Sequence, residues 1–149
     1  MLASSKGLQD TFPNIIVDAE VSRSMAKGQG LVDQLKAQGN LRPWVLVGLA
    51  TNSVVTNDQL DDLLNDVGPD HVLVLINAHA PVSWVPGTNA VLKQFAASHS
   101  NYVVLVVWDG TISQHADELA GDGIHPGMSN TIYAQAVKDS IAAWIKQGH

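Results

Sequence analysis

Trp44-Val45-Leu46-Val47-Gly48-Leu49-Ala50 is an unbroken apolar run that follows Arg42-Pro43. A strand with one wet face alternates apolar and polar residues. A continuous apolar run belongs to a strand covered on both faces, as strands of parallel sheets are. His71-Val72-Leu73-Val74-Leu75-Ile76-Asn77 and Tyr102-Val103-Val104-Leu105-Val106-Val107-Trp108 repeat the pattern. Helical spacing separates the three runs. Thr56 is placed to cap a helix from about 57 to 66, with Gln59 at the capping-box position and Leu60, Leu63 and Leu64 on one side. Gly68-Pro69-Asp70 ends it. Residues 88–98 form the next helix, with Val91, Leu92 and Phe95 inward. Further out, residues 30–38 carry Leu31, Val32 and Leu35 at helical spacing, with Gly39 as a stop. Residues 128–147 read as an amphipathic helix through Tyr133, Val137, Ile141, Trp144 and Ile145, residues 2–10 as a short helix, and residues 14–21 as a strand. Strands that alternate with helices predict an α/β three-layer sandwich, a parallel sheet with helices on both faces.

Composition narrows the function. The 149 residues are most simply one domain, large enough for a real core. Apolar residues make up 46% and charged residues 15% of the chain, which argues against disorder. The net charge of −6 is spread along the chain, and the 8 Lys and Arg do not cluster, so a nucleic-acid surface is not expected. Without cysteine there is no disulfide, thiolate chemistry or Cys-type zinc site. No apolar run approaches the roughly 18 residues of a membrane span. Met1-Leu2-Ala3-Ser4-Ser5-Lys6-Gly7 lacks the pattern of a signal peptide.

In an open parallel sheet the ligand site lies beyond the C-terminal ends of the strands. The polar residues just past those ends are Ser22 and Arg23, Thr51 and Asn52, Asn77 and His79, and Asp109. Asp122 and His125 follow the last strand in the same sense, in Gly121-Asp122-Gly123-Ile124-His125-Pro126-Gly127. A carboxylate that orients an imidazole is the proton-moving half of an acyl-transfer site. The plain alternative is an Asx-type turn at Asp122 and a helix cap at His125. Asn52 is either an oxyanion donor or a loop residue that holds backbone. Trp84, between Pro81 and Pro86, is either a cleft wall or a loop anchor. A metal site built from His79, His115 and His125, with Asp109 nearby, is a rival with no usual ligand spacing. His71, His99 and His149 read as surface residues.

Asp122-Gly123-Ile124-His125-Pro126 resembles the Asp-x-x-His block of the SGNH (GDSL-type) hydrolases. Gly48-Leu49-Ala50-Thr51-Asn52 resembles their Gly-x-Asn block with a longer spacer. More narrowly, Phe12-Pro13-Asn14, then Asp18-Ala19-Glu20-Val21-Ser22-Arg23-Ser24, then Asn77 with Pro81, Trp84 and Asn89, resemble the catalytic domain attached to acyltransferase-3 membrane proteins of the peptidoglycan O-acetyltransferase type. The resemblance covers nearly the whole chain. It implies a flavodoxin-like sandwich and a Ser-His-Asp triad containing Asp122 and His125. It also implies oxyanion donors at Asn52 and the backbone of Ser22, and a substrate groove beside Trp84. By the same resemblance the substrate is an acyl ester or a cell-wall carbohydrate, no cofactor or metal is needed, and relatives are fused to a membrane acyltransferase domain.

The chain departs from that pattern at its start. The family's first block is a buried strand that ends in Gly-Asp-Ser-Val, and no Gly-Asp-Ser occurs here. Residues 1–8 read like those that follow the block, which puts Ser4 and Ser5 inside the first helix and makes neither the nucleophile. A sheet without that strand leaves two options: strand 14–21 pairs directly with 44–50, or a gap with unpaired backbone remains. Trp108-Asp109 also reverses the family's usual order of acid and tryptophan. The expectation is therefore an SGNH-type acetyltransferase or acetylesterase domain that is inactive as written. The rivals are a carbohydrate-binding module without catalysis and a metal-dependent hydrolase. The domain is expected outside the cell as part of a membrane-anchored protein, and in the cytoplasm if Met1 is the true start.

Overall fold

The computed structural model describes residues 2–127 and 130–149. A 3₁₀ turn at Leu2–Ser4 leads into α1 (Ser5–Thr11), and a second at Met25–Lys27 leads into α2 (Gly28–Ala37). Then come β1 (Trp44–Val47), α3 (Asn57–Val67), β2 (Val72–Ile76), α4 (Val85–Ser98) and β3 (Val103–Val106). A short helix α5 (Trp108–Ile112), a 3₁₀ turn at Ala116–Glu118 and the long α6 (Asn130–Lys146) complete the chain. The first two residues of the 128–147 expectation lie outside the described residues.

The sheet is parallel, in the order β1-β2-β3, with Trp44 opposite Val72 and Leu73 opposite Val103. Residue alternation splits β2 between two cores. Leu73 and Leu75 face one layer with Val32 of α2, Leu60 and Leu63 of α3, and Leu92 and Phe95 of α4. Val74 and Ile76 face the other with Leu8 of α1, Ile112 of α5, and Tyr133 and Val137 of α6. Both helical crossovers, α3 and α4, thus pack on one face, as handedness requires of strands laid down in sequence order. Burial against Trp108, edge-to-face at 4.9 Å, pushes the Tyr133 hydroxyl's pKa up. The capping box forms as expected: Thr56 Oγ1 accepts from Gln59 N at 3.3 Å, and Gln59 Oε1 accepts from Thr56 N at 3.1 Å.

Several expectations fail. Residues 14–21 form no strand. Of the two arrangements open to a three-stranded sheet, the chain adopts the gap: β1 pairs with β2 alone, and an open groove of about 620 Å³ separates it from residues 12–18. Trp108 does not end β3. It opens α5, because Val107 at φ −84, ψ 67 turns the chain out of the sheet. α4 begins at Val85, three residues earlier than the pattern indicated, with Pro86 near its N-terminus where the missing N–H costs no bond. Ile145 is 51% exposed, so the buried stripe of α6 stops short of it. His71 and His99 are half-buried. The His99 ring lies tilted against Phe95, with centroids 4.2 Å apart, and Nδ1 lies 2.9 Å from the Phe95 carbonyl oxygen.

Candidate active site

The loop after α5 shapes the Asp122–His125 pair. Gly123 N donates to Ala120 O at 2.9 Å, and Ala120 N donates to His125 O at 2.9 Å, which folds the segment back on itself. Gly127 closes the fold: a Cβ there would lie 3.0 Å from Ala120 N. Within the loop, Asp122 Oδ1 accepts from Ile124 N at 2.9 Å and His125 N at 3.0 Å, an Asx-type turn. Asp122 Oδ2 meets His125 Nδ1 at 2.5 Å. The turn and the dyad, set out above as alternatives, thus coexist on different oxygens of one carboxylate. His125 Nε2 has no partner among the described residues, and the side chain is 64% exposed. The backbone N–H of His125 first, its side chain next and the Ile124 N–H after that hold the Asp122 pKa well below the usual carboxylate range.

A second group forms around Asn52. Its Nδ2 donates to Arg23 O at 3.0 Å, tying the loop after β1 to the segment before α2. Ser22 sits in the left-handed region at φ 60, the one described non-glycine residue there. Arg23 is pinned by Asp18 at 2.8 Å and Glu20 at 3.0 Å. Trp84 Nε1 donates to Thr51 O at 3.3 Å, so its half-exposed indole stands beside the Asn52 loop. Ser22, Asn52 and Trp84 are thus joined by backbone and side-chain bonds. Among the described residues no hydrogen bond or ion pair links this group to Asp122 and His125.

The remaining candidates pair elsewhere. His79 Nδ1 meets Asp109 Oδ1 at 2.8 Å, and Asn77 Oδ1 accepts from Asp109 N at 2.8 Å. Asn89 clamps Ala78 through both its N–H and C=O, at 2.9 and 2.8 Å. The sequence placed His79 and Asp109 past neighbouring strand ends, but it did not show that they pair. His115 lies 3.9 Å from Glu118. Among the described residues no three His, Asp or Glu side chains are grouped as metal ligands. Ser4 is fully buried at the start of α1, with no hydrogen-bond partner for Oγ among the described residues. Ser5 Oγ donates to Leu2 O at 2.7 Å.

Parallel strands between two helical layers, with an Asp-x-x-His pair on the loop before the last helix, define an SGNH-type α/β domain. Its homologues are peptidoglycan O-acetyltransferases. Peptidoglycan O-acetyltransferase OatA of Listeria monocytogenes serovar 1/2a (strain ATCC BAA-679 / EGD-e) is 31% identical over 125 residues, 84% of this chain and 20% of that protein. YrhL of Bacillus subtilis (strain 168), whose name assigns it provisionally to the peptidoglycan O-acetyltransferases, is 32% identical over 140 residues, 93% of this chain and 22% of that protein. The chain therefore spans about a fifth of the length of these curated relatives. Among solved structures, the C-terminal catalytic domain of Streptococcus pneumoniae peptidoglycan O-acetyltransferase A, determined with a methylsulfonyl adduct, superposes with a TM-score of 0.80 at 18% identity. That match covers 98% of this chain and 87% of that one, and it carries the fold. No protein-family model matches the chain.

Proposed function

We propose that this chain supplies the acid–base pair and an oxyanion donor to an O-acetyl transfer site that acts on cell-wall peptidoglycan outside the cell. The observation that carries the reading is the preformed contact between Asp122 Oδ2 and His125 Nδ1, which leaves Nε2 free. In the reaction, Nε2 takes the proton of a serine hydroxyl as its oxygen attacks an acetyl carbonyl. The bond from acetyl to donor breaks, and the leaving oxygen takes the proton from the imidazolium. A sugar hydroxyl then attacks the acetyl-serine, passing its proton through Nε2 back to the serine oxygen. Asp122 fixes the tautomer and stabilises the imidazolium. The Asn52 amide spends one N–H on Arg23 O and keeps a second for the developing oxyanion.

The serine is not among these elements. The 149 residues contain no Gly-Asp-Ser triplet, and alone they are expected to transfer no acetyl group. The fusion to a membrane acyltransferase domain belongs to the same proposal. Among the described residues no helix is long and apolar enough to cross a membrane.

The test uses 4-nitrophenyl acetate. The 149-residue chain should hydrolyse it no faster than its His125→Ala variant. A version that begins with an apolar strand ending in Gly-Asp-Ser should hydrolyse it, and His125→Ala should lower that rate by about 10³-fold or more. Hydrolysis by the 149 residues that disappears in His125→Ala would overturn the inactivity. Hydrolysis by the extended chain that ignores His125 would remove the pair from the mechanism. The exposure of Trp84 favours a second reading, a glycan-binding module. An extended chain that cleaves no ester, yet binds peptidoglycan fragments less well as Trp84→Ala, selects it.

A further inference from the structure

The acetyl-transfer reading uses one imidazole–carboxylate pair and leaves a second, His79 with Asp109, without a role. The second is the more deeply set: the His79 side chain is 23% exposed, against 64% for His125. Its surroundings fix it from three sides. Asn77 N donates to Val106 O at 3.1 Å, which fastens the end of β2 to the end of β3. The buried Asn77 side chain accepts from Asp109 N at 2.8 Å, which holds the carboxylate's own backbone. Asn89 of α4 holds Ala78, the residue between Asn77 and His79, at both its N–H and its C=O.

A carboxylate oxygen only accepts, so the contact of 2.8 Å puts the proton on His79 Nδ1 and leaves the lone pair of the neutral ring on Nε2. Nε2 has no partner among the described residues, and neither has Asp109 Oδ2. Two open acceptors on one pair match a ligand that brings donors and no negative charge. His79 also stands near the start of the loop that Trp84 ends. Because β2 is the central strand, that loop reaches both neighbours: His79 bonds past the end of β3, and Trp84 Nε1 donates to Thr51 O past the end of β1. Five positions of chain separate His79 from Trp84, at most ~18 Å when fully extended. Turns at Val82 and Val85 shorten that path. A half-exposed indole and a pair of acceptors, held on one strapped loop, suit a chain of sugar rings, with apolar ring faces on the indole and hydroxyls on the acceptors.

We propose that His79 and Asp109 form a sugar-hydroxyl subsite, in which His79 Nε2 and Asp109 Oδ2 accept hydrogen bonds from a glycan that lies over Trp84. The choice of a glycan rests on the peptidoglycan reading above. The role of the pair is to bind and orient this ligand; the proton transfers stay with His125.

The probe is chitotetraose, a neutral oligosaccharide of N-acetylglucosamine, titrated into the 149-residue chain with ¹⁵N-labelled histidine. Saturable binding is expected, with the His79 Nε2 resonance shifting as the lone pair takes a hydroxyl and the His115 resonances unmoved. His79→Phe keeps a planar ring and removes the acceptor. Asp109→Asn offers an N–H as well as an oxygen, so the ring can carry its proton on Nε2. Each should weaken binding about tenfold or more with unchanged circular dichroism. If either variant does not fold, the Nε2 shift in the unaltered chain still decides. Saccharide that binds, and binds less well to Trp84→Ala, without moving the His79 resonance would overturn the subsite and leave glycan binding standing. Absence of saturable binding would overturn the proposal without touching acetyl transfer, which 4-nitrophenyl acetate tests with no sugar present. Tighter binding of the deacetylated tetraose, lost in Asp109→Asn and kept in His79→Phe, would also overturn it, in favour of an ammonium held by the carboxylate alone.

Discussion

Asp122 divides its two carboxylate oxygens between architecture and chemistry, and that division has a measurable consequence. Oδ1 holds two backbone N–H groups of its own loop, and Oδ2 holds the imidazole. The backbone N–H of His125 is the largest cause of its lowered pKa and survives His125→Ala. Carboxyl ¹³C titration should therefore find Asp122 ionised well below the ordinary aspartate value. In His125→Ala the midpoint should rise but stay below that value. A midpoint that returned to the ordinary value would show that the imidazole alone sets it. The sign for stability follows from the direction. A depressed folded-state pKa adds stability above the unfolded value, and that share is lost as pH falls toward the folded one. The Asp-x-x-His spacing was legible because both residues lie in one short loop. The His79–Asp109 pair was not legible, because it joins residues 30 positions apart on neighbouring strand ends.

At the scale of elements, the contact between α1 and α6 turns on one missing side chain. A Cβ at Gly7 would lie 2.6 Å from Asn130 O and 2.9 Å from Asn130 C, atoms of backbone that cannot rotate away. Alanine ordinarily improves a helix by up to about 1 kcal/mol over glycine. At Gly7 the clash should reverse that sign, and Gly7→Ala should destabilise the domain by about 1–3 kcal/mol in urea titrations. Gly30, inside α2 with nothing within 4 Å of its Cβ position, is the control; Gly30→Ala should gain up to about 1 kcal/mol. A stable Gly7→Ala protein would show that α1 is free to shift against α6. The same contrast between local and distant causes explains which elements the sequence revealed. α3 was readable because Thr56, Gln59 and its leucines carry their whole signal within one helix. Residues 14–21 carry an apolar pattern suited to a strand, but a strand exists only where a neighbour offers a ladder, and β1 stands across an open groove. Trp108 misled for a related reason: its apolar ring is buried as a strand residue would be, yet it packs on Tyr133 from the first turn of α5.

For the whole molecule, the question is whether two helical layers on a sheet of three strands behave as one unit. β2 is the shared spine, hydrogen-bonded on both edges and fully buried at Leu73, Val74 and Leu75. Leu75 faces the α2–α4 layer. Trp44, Trp108 and Trp144 pack in the opposite layer, where Trp44 meets Trp144 edge-to-face at 5.8 Å. Leu75→Ala removes a buried side chain from one layer and should cost about 2–5 kcal/mol. That is a large share of the roughly 5–15 kcal/mol available to an ordinary domain. If β2 couples the layers, tryptophan emission from the far layer should report the loss in full. Its urea midpoint should then fall together with the far-ultraviolet circular dichroism midpoint, in a single transition with an unchanged m-value. Should the emission midpoint stay near that of the parent while the circular dichroism midpoint falls, the layers unfold separately. The bare edge of β1 would then be a boundary between weakly joined parts rather than the rim of one cooperative core.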